Sequence, residues 1–205
     1  MGFFRQKRKK SLAEIFHRVY YKSDLWKQAE TGSGPGSILA HTQHIRQAIP
    51  ELIRSLDLKS ILDAPCGDLN WINHTDLAGI DYTGADIIPR LIEENRKKYP
   101  SKKFIVADIT SDILPPADLV LCRDCFIHLP NELILSAIAN FRTAGIRYML
   151  TNTYRFISEN KDIEPGQFRM LNLQLPPFSL PDPLFTIEED FTDGYPDKKL
   201  CLWKL

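Results

Sequence analysis

The chain has 205 residues, the length of one domain with a small extension and too few for two full domains. Hydrophobic residues make up 43% and charged residues 25%, as in a globular protein with a real core, and 26 basic side chains balance 26 acidic ones, which disfavours a broad nucleic-acid-binding face. No stretch approaches the roughly 18 to 20 apolar residues of a membrane span, and four cysteines in a chain of this length make no disulfide scaffold, so a reducing cytoplasm is the expected compartment.

The N-terminus is locally charged: Arg5, Lys7, Arg8, Lys9 and Lys10 form one basic run. Gly2 raises myristoylation, but position 6 is Gln where that signal wants Ser or Thr. In residues 11–21, Leu12, Ile15, Phe16, Val19 and Tyr20 share one face of an expected amphipathic helix. With the basic run, it would either touch an anionic membrane or RNA, or pack on the domain behind a solvated tail. "TGSGPGS" (31–37) reads as a loop leading into a second helix, with Ser37 as the expected N-cap and Pro50 as a kink or a restart.

From residue 60 short apolar runs alternate with helical segments. Strands are expected at about 60–64, 82–87, 103–108, 117–122, 146–152, 184–188 and 198–204. Helices are expected after Asn70, from Pro89, and from Pro130 to about Arg142. That alternation implies an α/β three-layer sandwich: a seven-stranded, mostly parallel sheet, a C-terminal antiparallel hairpin strand, and N-terminal helices added. Residues 156–183 hold five prolines and little periodicity, the mark of a functional loop or lid.

Ligands of open parallel sheets bind beyond the carboxyl ends of the strands. Those ends carry Asp63, then Pro65, Cys66, Gly67 and Asp68; Asp86 with Ile87; Asp108 with Ile109; Arg123, Asp124 and His128; and Asn152, Thr153 and Tyr154. One aspartate after a strand is ordinary turn chemistry. Three in series are not. Asp86 follows Asp63 by one strand–helix–strand unit, where a carboxylate accepts from both ribose hydroxyls of a nucleoside, and Asp108 is placed to meet an adenine amino group.

On these residues the sequence resembles the class I (Rossmann-like) S-adenosylmethionine-dependent methyltransferases. Their Asp/Glu-x-Gly-x-Gly-x-Gly loop here reads Asp63-Ala64-Pro65-Cys66-Gly67-Asp68-Leu69, keeping only the middle glycine. The order of elements from about 60 to 205 carries the resemblance; residues 1–59 share it loosely. It implies S-adenosyl-L-methionine as cofactor and S-adenosyl-L-homocysteine as product. Asp63, Pro65, Cys66 and Gly67 would line the methionine end, Asp86 and Ile87 the ribose, and Asp108 and Ile109 the adenine. Arg123, Asp124 and His128 would lie on the methyl-transfer side.

The cofactor has no pyrophosphate, so losing a glycine at 69 counts more against NAD than against a sulfonium nucleoside. If the acceptor is a hydroxyl, His128 and Asp124 are the candidate bases. Gly34, Gly36 and Ser37 either fold over the cofactor or a substrate group, or form a flexible linker. Trp26, Arg169 and Asn172 would complete a lid over the acceptor, with Asn152 and Tyr154 beside it. No metal site is expected: Cys122 and Cys125 form a lone C-x-x-C, and His41 and His44 lie beside an apolar stripe.

The expected organisation is a basic tail and helical cap over residues 1–58, and a core over 59–205 with its lid at about 156–183. The expected activity is methyl transfer to a small-molecule or sugar hydroxyl, without nucleic acid, with peripheral membrane contact through the N-terminus left open. An N- or RNA methyltransferase, an NAD(P)-dependent oxidoreductase and a non-catalytic adenosine-binding module are the alternatives.

Overall fold

The computed structural model describes residues 10–205 except 193 and 196. The basic run from Arg5 to Lys9, the myristoylation question at Gly2 and any membrane contact made there lie outside the described residues.

Seven strands form one sheet in the order β3-β2-β1-β4-β5-β7-β6: β1 (Ser60–Asp63), β2 (Asp81–Asp86), β3 (Lys103–Val106), β4 (Leu119–Cys122), β5 (Tyr148–Tyr154), β6 (Phe185–Glu188) and β7 (Lys198–Lys204). β1 to β5 pair in parallel, and β7 is inserted antiparallel between β5 and β6. β6 therefore runs the same way as β1 to β5. The start of β7 and the end of β6 thus share the edge at which the parallel strands end.

Successive strand residues face opposite sides, and both sides are buried. Ile61, Leu119, Leu121, Leu150 and Leu202 pack with Ile45, Ile49, Leu52 and Ile53 of α2 (Gln43–Ser55) and with Ile92 of α3 (Pro89–Lys98). On the other face Leu62, Val120, Met149 and Trp203 pack with Ile134, Ala137, Ile138 and Phe141 of α4 (Asn131–Thr143). Strands covered on both faces read as continuous apolar runs, which is why the runs were visible while the face of each residue was not. Among the described residues, no helix is long and apolar enough to cross a membrane.

Three local expectations are corrected. Ser37 does not cap α2: two short 3-10 turns, Pro35–Ser37 and Leu39–His41, intervene, and the Ser37 hydroxyl donates to the Ser33 carbonyl. α2 begins after Thr42 and runs through Pro50 as one helix. α4 begins at Asn131, with Pro130 as its extended N-cap.

The proline-rich segment is mostly at the surface but sends a few side chains into the core. Leu171 and Leu173 are fully buried and Phe178 nearly so, and the segment's backbone is pinned by the Tyr154 amide on the Leu171 carbonyl, the Gly166 amide on the His128 carbonyl and the Arg169 amide on the Ile127 carbonyl. α1 (Leu12–Lys22) opens on a capping box between Ser11 and Glu14 and buries no residue completely. It bridges two regions: the Tyr21 hydroxyl donates to Glu94 of α3 at 2.6 Å, while Ile15 and Val19 lie against Gly166.

Candidate functional site

A cavity of about 790 Å³ lies along the carboxyl edge of the parallel strands, beneath α1. Its walls include Asp63, Pro65, Cys66, Gly67, Asp86, Ile87, Asp108, Ile109, Arg123, Asp124, His128 and Tyr154, with Trp26, Gly34 and Ser37 from the N-terminal segment. The strand ends thus bring most of the expected residues to one place. Asn152, Arg169 and Asn172 are absent from the walls.

At one end stand the carboxylates of β1 and β2. Asp63 is buried, and its side chain has one hydrogen-bond partner, the Tyr82 hydroxyl at 2.6 Å. Burial pushes its pKa up to about 7, against the lowering effect of that bond. Asp86 is buried too; its two oxygens accept from the Gly67 amide at 3.2 Å and the Ile88 amide at 3.0 Å. Burial lifts it to about 6, and the two amides resist. Asp108 closes a turn, accepting from the Thr110 amide and hydroxyl through one oxygen only.

The β1 loop is clasped by the N-terminal segment. Asp68 accepts from the Thr31 hydroxyl at 2.8 Å, the Gly32 amide at 2.9 Å and the Ser33 hydroxyl at 3.0 Å. Asn70 donates to the Ser37 carbonyl at 2.9 Å. Gly67 has φ +55, and a Cβ there would stand 2.5 Å from the Ser33 hydroxyl, so only glycine permits this approach. Leu69, where the family carries a glycine, keeps the left-handed backbone at φ +61 while its side chain is buried in the core. The "TGSGPGS" loop is accordingly a docked element, not a linker.

At the other end lies a buried ion network that sequence reasoning missed in part. Arg123 donates to both oxygens of Glu189, at 3.0 and 2.8 Å, and to the Gly36 carbonyl at 2.8 Å, and its guanidinium lies over Trp71. Asp124 sits between Arg123 (3.3 Å) and Lys198 (2.8 Å), in a left-handed conformation at φ +52. Asn152 ties the cluster, accepting from the Asp124 amide at 2.7 Å and donating to Glu189 at 2.6 Å. Gly36 is tight against it: a Cβ there would meet Asp124 at 2.5 Å.

Burial alone would raise the Asp124 carboxyl, but Arg123 and Lys198 outweigh it and hold it down at about 2. A carboxylate so stabilised accepts a proton poorly, which disfavours Asp124 as a base relative to His128. Arg123, expected at the cofactor, lines the cavity while its donors go to Glu189 and to the loop carbonyl of Gly36.

Glu189 and Lys198 follow the same strand-end logic as the aspartates, because β6 ends and β7 begins at the cavity edge. Carrying that rule past the fifth strand would have found them.

His128 has the geometry of a base. Its Nδ1 lies 2.9 Å from the Gln167 carbonyl, which can only accept, so Nδ1 carries the hydrogen and Nε2 keeps its lone pair. Burial lowers the imidazole pKa, so the neutral ring prevails near neutral pH.

Two lid residues are corrected. Arg169 donates to the Lys161 and Leu129 carbonyls, and Asn172 bonds with Asn160 and Arg155. Both brace the irregular segment from within, and only its stretch Gly166–Phe168 reaches the cavity.

The chemistry of the walls suits an adenosyl sulfonium cofactor. Among the described residues Asp63 forms no ion pair that a ligand ammonium would displace, both Asp86 oxygens are held by backbone amides, and Asp108 accepts through one oxygen only.

No protein-family model matches the chain, and no curated protein sequence matches it. Solved structures match its fold. A S-adenosylmethionine-dependent methyltransferase from Clostridium acetobutylicum ATCC 824 aligns at 13% identity over 80% of this chain and 91% of that chain, with a TM-score of 0.60. The PH0226 protein from Pyrococcus horikoshii OT3 aligns at 16% identity over 83% and 95%, with a TM-score of 0.58. Magnesium protoporphyrin IX methyltransferase from Synechocystis PCC 6803, solved with bound S-adenosylmethionine, aligns at 14% over 77% and 83%, with a TM-score of 0.51. At such identities the likeness establishes architecture: the chain has the Rossmann-like methyltransferase fold.

Proposed function

We propose that the protein is an S-adenosylmethionine-dependent methyltransferase acting on a hydroxyl of a small molecule or sugar unit. One observation carries this reading: a single cavity holds three strand-end aspartates suited to an adenosyl amino acid at one end and a base-form histidine at the other. The fold shared with methyltransferases supports it.

Asp63 would receive the ammonium of the methionine moiety, with Gly67 giving its backbone close approach. Asp86 would accept from the ribose hydroxyls, while Asp108 and Ile109 frame the adenine. The cofactor supplies an electrophilic methyl on sulfonium sulfur. The chain's own part is positioning and one proton: the β1 loop and residues 31–37 fix the methyl donor, and His128 takes the acceptor's hydroxyl proton at Nε2. Asp124 acts at one remove, through the ion network that holds Gly36 and its loop. Residues 12–41 serve as the cap of the site.

The test is calorimetry with S-adenosylmethionine, S-adenosylhomocysteine and NAD, on the native chain and on Asp86→Ala. Binding of the two sulfur nucleosides, abolished by the substitution, is expected. Binding of NAD alone, or unchanged affinity in the variant, overturns the reading.

A further inference from the structure

The acceptor end of the cavity is built from rings. Trp26 lies 4.9 Å from the His128 ring, His128 is 6.1 Å from Phe168, Phe168 is 6.3 Å from Tyr195, and Tyr195 is 6.0 Å from Tyr154. All five line the cavity. Phe168 remains 49% exposed although it is apolar and stands on that wall. The rings are edge-on or tilted to one another, which leaves faces available to a flat ligand.

The charges of this end are used up. Arg123 and Glu189 pair with each other, Lys198 pairs with Asp124, and two cations meet two anions. At this end of the cavity a phosphorylated or ammonium-bearing acceptor would find these four charges already paired, and desolvating its charge there would be costly.

Asn152, Arg169 and Asn172, the polar residues expected around an acceptor, stand outside the cavity walls and bond to protein groups, so they offer nothing to the hydroxyls of a sugar. Tyr154, by contrast, is 2% exposed and lines the cavity, and its hydroxyl makes no hydrogen bond among the described residues.

We infer that the acceptor is an uncharged planar phenol, stacked among Trp26, Phe168 and Tyr195, with its hydroxyl at His128 Nε2 and a further polar substituent at the Tyr154 hydroxyl. This narrows, and rests on, the methyltransferase reading. In that pose His128 takes the phenolic proton, and the oxygen forms its bond to the methyl carbon as the carbon–sulfur bond breaks, its electron pair remaining on sulfur.

The acidity of the acceptor agrees. A phenol ionises near ~10, within reach of an imidazole base; a hydroxyl ionising near that of bulk water, ~15.7, is a far poorer match.

The test uses the full chain with 2-naphthol, 2,3-dihydroxynaphthalene, methyl β-glucoside and benzylamine as probes. Each is titrated by calorimetry with and without S-adenosylhomocysteine, and each is then incubated with S-adenosylmethionine and followed by mass. The two naphthols are expected to bind, the diol more tightly. Phe168→Ala is expected to weaken both about tenfold. Tyr154→Phe, which keeps the ring, is expected to remove the diol's advantage. Failure of both naphthols to bind, or preference for the glucoside or the amine, overturns the inference. Absence of S-adenosylhomocysteine binding would overturn the methyltransferase reading separately, since the naphthol titration alone still decides what the aromatic wall accepts.

Discussion

His128 and Asp124 lie four residues apart on the same loop and were equal candidates as bases; their surroundings separate them. The imidazole has one nitrogen fixed on the Gln167 carbonyl and the other spare, whereas the carboxylate is held by two cations. His128→Gln is expected to keep cofactor affinity within about threefold and to lose 10²- to 10⁴-fold in turnover, the range of general-base catalysis. Wild-type turnover should fall as acidification protonates the ring, with a midpoint below the ordinary histidine range; a rate that does not fall at any acidic pH where the protein stays folded would retire His128. Leu69 shows a second contest of effects. Its left-handed backbone costs about 1–2 kcal/mol, and burying a leucine contributes about 1.5–3 kcal/mol. Leu69→Gly is therefore expected to lower unfolding free energy by about 1–2 kcal/mol in a urea titration, despite relieving the backbone; a gain in stability would reverse that balance.

Among the elements, the segment 31–37 matters most to the cavity. It is held from two sides, by Asp68 below and by Arg123 through the Gly36 carbonyl. Asp68→Ala removes the lower hold only. The expected result is a loss of cofactor affinity of about tenfold or more, with faster amide exchange confined to about residues 26–37; unchanged exchange there would show that the clasp does not order the loop. This element also marks the limit of the sequence reading. Strands such as 60–63 and 119–122 were legible because apolar runs between polar tips are a local signal. The clasp was not, because Asp68 and Thr31 stand 37 residues apart and nothing local pairs them. Ser37 was misread for a related reason: Gly-Pro-Gly-Ser before an amphipathic stretch looks like a helix start, while Ser37 ends a 3-10 turn, Pro35–Ser37, whose carbonyls are held by Asn70 and Arg123. Arg169 and Asn172 were polar residues in an irregular segment, and only the packed structure shows them bracing carbonyls from inside.

Across the whole molecule, the buried carboxylates set the pH dependence of stability. Asp63 and Asp86 have folded-state values raised to about 7 and about 6. Their contribution is full below the unfolded carboxylate range, near ~4, and is lost as pH rises through 6 to 7. Asp124, held at about 2, contributes above that range and is lost as pH falls toward 2. Ligand-free protein is therefore expected to be most stable near pH 4 and to lose stability progressively from there up to about pH 7. Bound S-adenosylhomocysteine, whose ammonium would meet Asp63, is expected to raise the melting temperature more at pH 8 than at pH 5. Thermal scans at both pH values check this; a larger ligand shift at pH 5 would contradict it.

The tie from Arg123 back to Gly36 and forward to Glu189 has a consequence in time. It joins positions 87 and 66 residues apart, and Lys198, which completes the charge balance around Asp124, lies seven residues from the end of the sequence. During synthesis the strands up to β5 emerge before Glu189 and Lys198 exist, so Arg123 and Asp124 must wait for their last partners. A nascent chain can build most of its sheet while its pocket stays open, and competence arrives only when the final strand slots between β5 and β6.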